Sequence, residues 1–204
     1  MRSNVCKIEN GTKDLAAILK ESEKVAVYNE LTHKQALQLR LLCEEIDGML
    51  PNIVNDFSGD LWIELEDGVC KVNVSLRFEE FTADKKAELV GIAKNKKNAA
   101  VVGIVGKIRS ALENVFMDEE ALGGDIAIES RYLASEYYST MDHYLGADYT
   151  CLWSLEQYRS NVKKEERTEA WDELEKSVIA SVADDVIVGV KGKRADIIVV
   201  KKFS

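Results

Sequence analysis

The chain has 204 residues, of which 46% are hydrophobic and 31% charged, and a formal net charge of −9. That length suits one substantial core or at most two small domains, and the hydrophobic content excludes a disordered chain. The acidic balance excludes a surface built for nucleic-acid backbone or anionic lipid, and no apolar run approaches the ~18 residues a membrane helix needs. Short basic clusters at Lys94, Lys96, Lys97 and at Lys191, Lys193, Arg194 read as solvated loops. No charged-then-apolar leader precedes the first element. Cys6, Cys43, Cys70 and Cys151 stand far apart with no C-x-x-C pair, the usage expected of reduced thiols in a cytoplasmic protein. His33 and His143 lack ligand spacing to any cysteine or to each other, so no metal site is expected.

In chain order, the first ten residues predict no element. Thr12 to Glu23 predicts a short helix with Leu15, Ile18 and Leu19 on one face, and Val25 to Tyr28 a short β segment. Thr32 to about Asn55 is the longest helical signal. Thr32 and Gln35 form a capping box, and Leu39, Leu42, Cys43, Ile46, Met49, Leu50 and Ile53 recur at the spacing of a buried stripe. Leu37 and Leu41 broaden that stripe and predict that most of the helix is covered. Pro51 bends or ends it. Leu61 to Glu66 then alternates apolar and polar residues, Asp67-Gly68 is a strong hairpin signal, and Val69 to Phe78 is the partner strand.

Thr82 to Ile92 predicts another helix. Ala99 to Phe116 begins with small residues and finishes amphipathic, and Asp118 to Gly124 predicts a loop. Residues 125–150 are rich in tyrosine and read partly as helix. Leu152 to Val162 and Glu169 to about Val182 predict helices, and Val186–Val190 with Ala195–Lys202 predict a closing hairpin around Lys191-Gly192-Lys193. Ile197, Val199 and their neighbours make the last strand apolar on both faces at its centre. With no repeat, linker or low-complexity tract, a single domain over residues 1–204 is expected.

This order of helix, strand, long acidic helix, hairpin, glycine-bearing helix, further helices and closing hairpin resembles the ATP-binding domain of the histidine-kinase-like (GHKL) ATPase superfamily. Within it the layout is closest to the small anti-sigma-factor serine kinases. The resemblance covers about residues 24–116 and 169–203, with a tyrosine-rich insertion at about 117–168. It implies an α+β fold, a two-layer α/β sandwich whose mixed, mostly antiparallel sheet holds both hairpins and the Val25–Tyr28 strand. It also implies ATP or ADP with magnesium as ligand, Glu44 as general base, and a nucleotide site that includes Asp47, Gly48, Gly103, Gly106 and Lys107.

In the family, an asparagine four residues after the glutamate holds the magnesium, because i and i+4 share a helix face. Here Gly48 stands at that position, with Asp47 one residue short of it. The family's Asp-x-Gly-x-Gly box has no counterpart in Glu79-Glu80-Phe81-Thr82-Ala83-Asp84. The layout therefore implies a nucleotide-binding regulatory protein with weak or no catalysis.

The residues also support plainer readings. Glu44, Glu45 and Asp47 read equally as the wet face of an amphipathic helix, and Gly103 and Gly106 as points of close helix packing. A P-loop fails at Val101 and Ile108, where glycine and serine or threonine are required. No G-x-S-x-G elbow accompanies His143. The aromatic residues from Tyr132 to Trp171 serve as core, as a small-molecule pocket, or as the surface of a non-catalytic module that binds a partner protein.

Overall fold

The structure, a computed structural model, describes residues 1–10, 15–53, 57–77, 104–106, 108, 151–162, 177–191 and 194–203. Its elements are β1 (Cys6–Glu9), α1 (Leu15–Tyr28), α2 (His33–Ile53), β2 (Ser58–Glu66), β3 (Val69–Arg77), β4 (Cys151–Ser154), α3 (Leu155–Val162), α4 (Val178–Val182), β5 (Asp185–Lys191) and β6 (Arg194–Lys202). The fold is α+β. One six-stranded sheet runs in the order β1-β2-β3-β6-β5-β4, and every pair in it is antiparallel.

The expected hairpins form the centre of this sheet. Asp67 at φ 48° and Gly68 at φ 77° give the left-handed pair of a type I′ turn, whose twist matches the strands it joins. Gly68 also carries the end of the chain, since its carbonyl accepts the Phe203 N–H at 2.7 Å. The closing hairpin joins the first one through the β3–β6 pairing, with Val72 opposite Val199 and Val74 opposite Ile197.

Leu61, Ile63 and Leu65 of β2, Val72, Val74 and Leu76 of β3, Val186, Val188 and Val190 of β5, and Ile197 and Val199 of β6 project into one core. Leu39, Leu42, Cys43, Ile46, Leu50 and Ile53 of α2 meet them there, with Ile18 and Val25 of α1 and Ile179 of α4. The opposite face of the sheet is buried at its middle too, at Asn73, Ser75, Ile187, Asp196, Ile198 and Val200.

Three expectations are corrected. Val25–Tyr28 is not a strand but the last turn of α1. The buried positions Ile18, Glu21, Ser22, Val25 and Ala26 follow the three-and-four rhythm of a helix, and two polar members of that stripe conceal it in the sequence. The first ten residues do form an element, edge strand β1, in which Cys6 pairs with Leu61 and Ile8 with Gly59. Residues 151–154 pair with β5 as β4, so the helix expected from Leu152 begins at Leu155. There the Ser154 hydroxyl and the Asp185 carboxylate accept the Gln157 and Glu156 amides, at 3.2 and 2.9 Å. Of the helix expected over 169–182, Val178–Val182 is described. The expected helix at 82–92, the loop at 118–124 and the tyrosine-rich stretch at 125–150 lie outside the described residues.

The turn between α1 and α2 is built on both sides. Leu31 N–H reaches the Ala26 carbonyl at 2.9 Å and Glu30 N–H reaches that of Val27 at 3.2 Å, the two bonds of a Schellman motif. Glu30 fills the left-handed position, φ 52°, that glycine commonly takes there. On the other side the capping box is complete. Gln35 Oε1 accepts the Thr32 N–H at 2.9 Å, and the Gln35 N–H donates to Thr32 Oγ1 at 3.4 Å.

Candidate functional site

The long helix α2 positions the acidic set. With its apolar stripe on the sheet, ~100° of rotation per residue carries Glu44 and Gly48 onto the crest facing away from the core, with Glu45 and Asp47 on its flanks. Glu44 is half-buried, and its Oε1 accepts from Arg40 Nε at 3.0 Å. The same guanidinium reaches Glu23 of α1 at 3.4 Å. Glu44 is thus held in an ion pair that ties the two helices together on their outer side. The Arg40–Glu44 half of it was legible as an i,i+4 spacing, whereas Glu23 came only from the packing of α1 on α2.

Gly48 is exposed, and a Cβ placed on it meets nothing within 4 Å. No packing reason therefore requires glycine there. Asn52, one turn further, donates its side-chain amide to the Gly48 carbonyl at 3.2 Å, a contact that sequence reasoning missed. Pro51 sits inside the last described turn and has no N–H to give the carbonyl four residues back. Because Gly48 is both exposed and uncrowded, Gly48→Ala is expected to stabilise the protein by about 1 kcal/mol, the helix-propensity difference. Thermal unfolding followed by circular dichroism checks this, and a lower melting temperature would mean that Gly48 is needed for its shape.

Leu41 is half-buried, but Leu37, expected under cover, is 51% exposed. It lies on the α2 crest, on the same side as Glu44, where no described element packs.

Of the expected phosphate loop, Gly106 is described and Gly103 and Lys107 lie outside the described residues. Gly106 is helical and buried, beside Ile104 and Ile108, which both belong to the core. On a helix Gly106 points nearly away from those two isoleucines, so this stretch is covered on opposite sides. That burial suits the close-packing reading of the glycine.

Cys43 and Cys70 are free and buried, and Cys6 is buried as well. Burial pushes the Cys70 thiol up to about 12, and burial together with the neighbouring Cys70 and Cys6 pushes Cys43 higher. Thiols so far from ionisation are packing groups rather than nucleophiles. Among the described residues, no three His, Cys, Asp or Glu side chains stand together to hold a metal ion. No described helix is long and apolar enough to cross a membrane. Neither family profiles, nor curated proteins, nor solved structures give a match to this chain.

Proposed function

We propose that this chain is a nucleotide-binding regulatory domain similar to the ATPase domains of anti-sigma serine kinases, with weak or no catalysis. One observation carries the reading. A 21-residue helix lies across an antiparallel sheet with an acid, Glu44, on its outward crest, and a hairpin follows it directly. The Gly103–Lys107 run stands where the family's phosphate loop precedes a helix, and glycine before a helix lets backbone N–H groups approach a phosphate. In this reading Glu44 is the general base, Asp47 and Gly48 border the phosphates, and Gly103, Gly106 and Lys107 form the loop that holds them.

The test is a thermal melt with ATP or ADP and magnesium. A ligand that binds only the folded state at 100 times its Kd adds about 2.7 kcal/mol. For a chain of this size that raises the melting temperature by roughly 5–10 °C. The shift is expected to disappear in Lys107→Ala, which removes a charge without adding bulk to the buried neighbour Gly106. No shift with either nucleotide removes the proposal.

A second reading is a non-catalytic interaction module, with the aromatic-rich stretch at about 125–160 as the partner-binding surface. The bare crest at Gly48 favours it, since the position four residues after Glu44 offers no side-chain ligand to magnesium. A partner captured equally well by wild type and by Lys107→Ala, with no nucleotide effect on either, is the result expected from this second reading.

A further inference from the structure

Side chains alternate along a strand, so the residues that stand between those of the core lie on the face of the sheet turned away from α2. There β3 presents Asn73, Ser75 and Arg77, β6 presents Asp196 and Arg194, and β5 presents Lys191. The register sets them in rows. Ser75 lies opposite Asp196, and Arg77 opposite Arg194, which lies opposite Lys191 on its other side.

The outermost row is therefore three cations on three adjacent strands, spaced about 5 Å apart, in a chain of net charge −9. Like charges directly opposite one another destabilise a sheet. Two carboxylates one row further in offset this and hold the guanidiniums. Asp196 Oδ1 accepts from Arg194 Nε at 2.9 Å, and Asp60 Oδ2 of β2, opposite Ser75, lies 3.6 Å from Arg77 Nη2. Lys191 is exposed, and the side chains of Arg77 and Arg194 are 70% and 51% exposed. An exposed row of cationic donors, braced from behind, suits an oxyanion, and the guanidinium fork suits a phosphate.

A second observation lies behind that row. Ser75 is 7% exposed and Asn73 5%. Among the described residues the Ser75 hydroxyl has no hydrogen-bond partner, and Asn73 makes one long bond, from Nδ2 to the Lys71 carbonyl at 3.4 Å. Buried polar groups are nearly always paired, and an orphan costs stability. Asn73 Oδ1 and the two carboxylates only accept, while the Ser75 hydroxyl does either. This floor calls for a group that donates, which a bare anion lacks. A hydroxylated compound that carries a phosphate meets both demands.

We propose that this face binds a small sugar phosphate, with its phosphoryl group on Arg77, Arg194 and Lys191 and its hydroxyls on Ser75 and Asn73. The ligand enters from the exposed cationic row toward the buried polar one. The face lies across the sheet from α2 and Glu44, so the inference does not rest on the nucleotide reading and survives its failure.

Thermal melts of the purified chain with millimolar glucose-6-phosphate or ribose-5-phosphate test it, with glucose and sodium sulfate as controls. At least one of the two sugar phosphates is expected to raise the melting temperature by roughly 5 °C near 100 times its Kd. Glucose and sulfate are expected to do far less. The variant combining R77Q and K191Q keeps the Arg194–Asp196 pair, and it should melt near wild type and lose the shift. R77Q alone, with a partial loss, serves if the double variant does not fold. S75A separates binding from structure. Removing an orphaned hydroxyl should leave the unliganded melting temperature unchanged or higher, yet cut the ligand shift at least by half. Lys107→Ala should keep the whole shift. No shift with either sugar phosphate, an equal shift with sulfate, or a full shift retained by these β3 and β5 variants overturns the proposal.

Discussion

Gly59→Ala is expected to lower stability by about 3 kcal/mol, the upper end of the usual cost of overpacking, and the melting temperature by roughly 6–12 °C in a chain of this size. Gly59 sits in β2, paired with Leu76 of β3 on one side and with Ile8 of β1 on the other. A Cβ at this position would lie 2.3 Å from the Ser75 carbonyl oxygen and 3.2 Å from Leu76 Cα. Both are backbone atoms of a strand paired along its whole length, so no side chain can turn aside to make room. The chain must either part β2 from β3 or twist β2 off its register. Gly48→Ala serves as the matched control, because the same substitution there meets open space and is expected to act in the opposite direction. A Gly59→Ala protein that melts within a degree or two of wild type would show that β2 and β3 do not approach as closely as described.

The second large effect belongs to Glu21, a buried carboxylate on α1. Its Oε2 accepts the Asn4 backbone N–H at 3.1 Å, and its Oε1 accepts from Asn4 Nδ2 at 3.3 Å and from Lys24 Nζ. The carboxylate therefore clasps the segment leading into β1 against α1. Glu21→Ala leaves the Asn4 groups without this acceptor, and loss of charged hydrogen bonds of this kind costs about 2 kcal/mol. Glu21→Gln keeps an acceptor for Asn4 and is expected to cost about half as much, within the range of a single hydrogen bond.

The hydrogen bond from Lys24 and, next, those from Asn4 hold the Glu21 carboxyl below its ordinary value, against the opposing effect of burial. A carboxyl depressed in the folded state contributes stability that is fully present above the unfolded value of 4.5 and fades as the pH falls through the lower folded value. Wild type should therefore lose stability faster than Glu21→Gln as the pH falls below about 4.5. Denaturant unfolding at neutral pH and at successive acid pH values measures the difference. If the gap between the two proteins is the same at every pH, the clasp is not electrostatic.

These residues also mark the boundary between local and long-range information in this chain. The α2 stripe, its capping box and the Asp67-Gly68 turn are set by neighbours three or four positions apart, and each was legible without any knowledge of the fold. The Ile197–Val200 run announced a strand buried on both faces for the same reason: four successive apolar residues need cover on either side. The acid at Glu44 and the missing side chain at Gly48 were equally plain.

What lay beyond local reading depended on partners distant in the chain. Val25–Tyr28 has the composition of a strand, yet it is helical because Val25 and Ala26 complete a buried face whose other members include Glu21 and Ser22. Those polar residues are buried at low cost only because other groups meet them, Asn4 and Lys24 for Glu21 and the Leu19 carbonyl for Ser22. Short strands β1 and β4 carry almost no pattern of their own and are strands because β2 and β5 offer them open edges. Arg40 owes the second half of its double ion pair to the packing of α1 beside α2. Periodicity reports which face of an element is apolar, but it carries no information on which other element that face will meet. That choice is made by burial and hydrogen bonding summed over the whole chain, and it is what turned an ambiguous apolar run into a helix and an unremarked N-terminal stretch into the edge of the sheet.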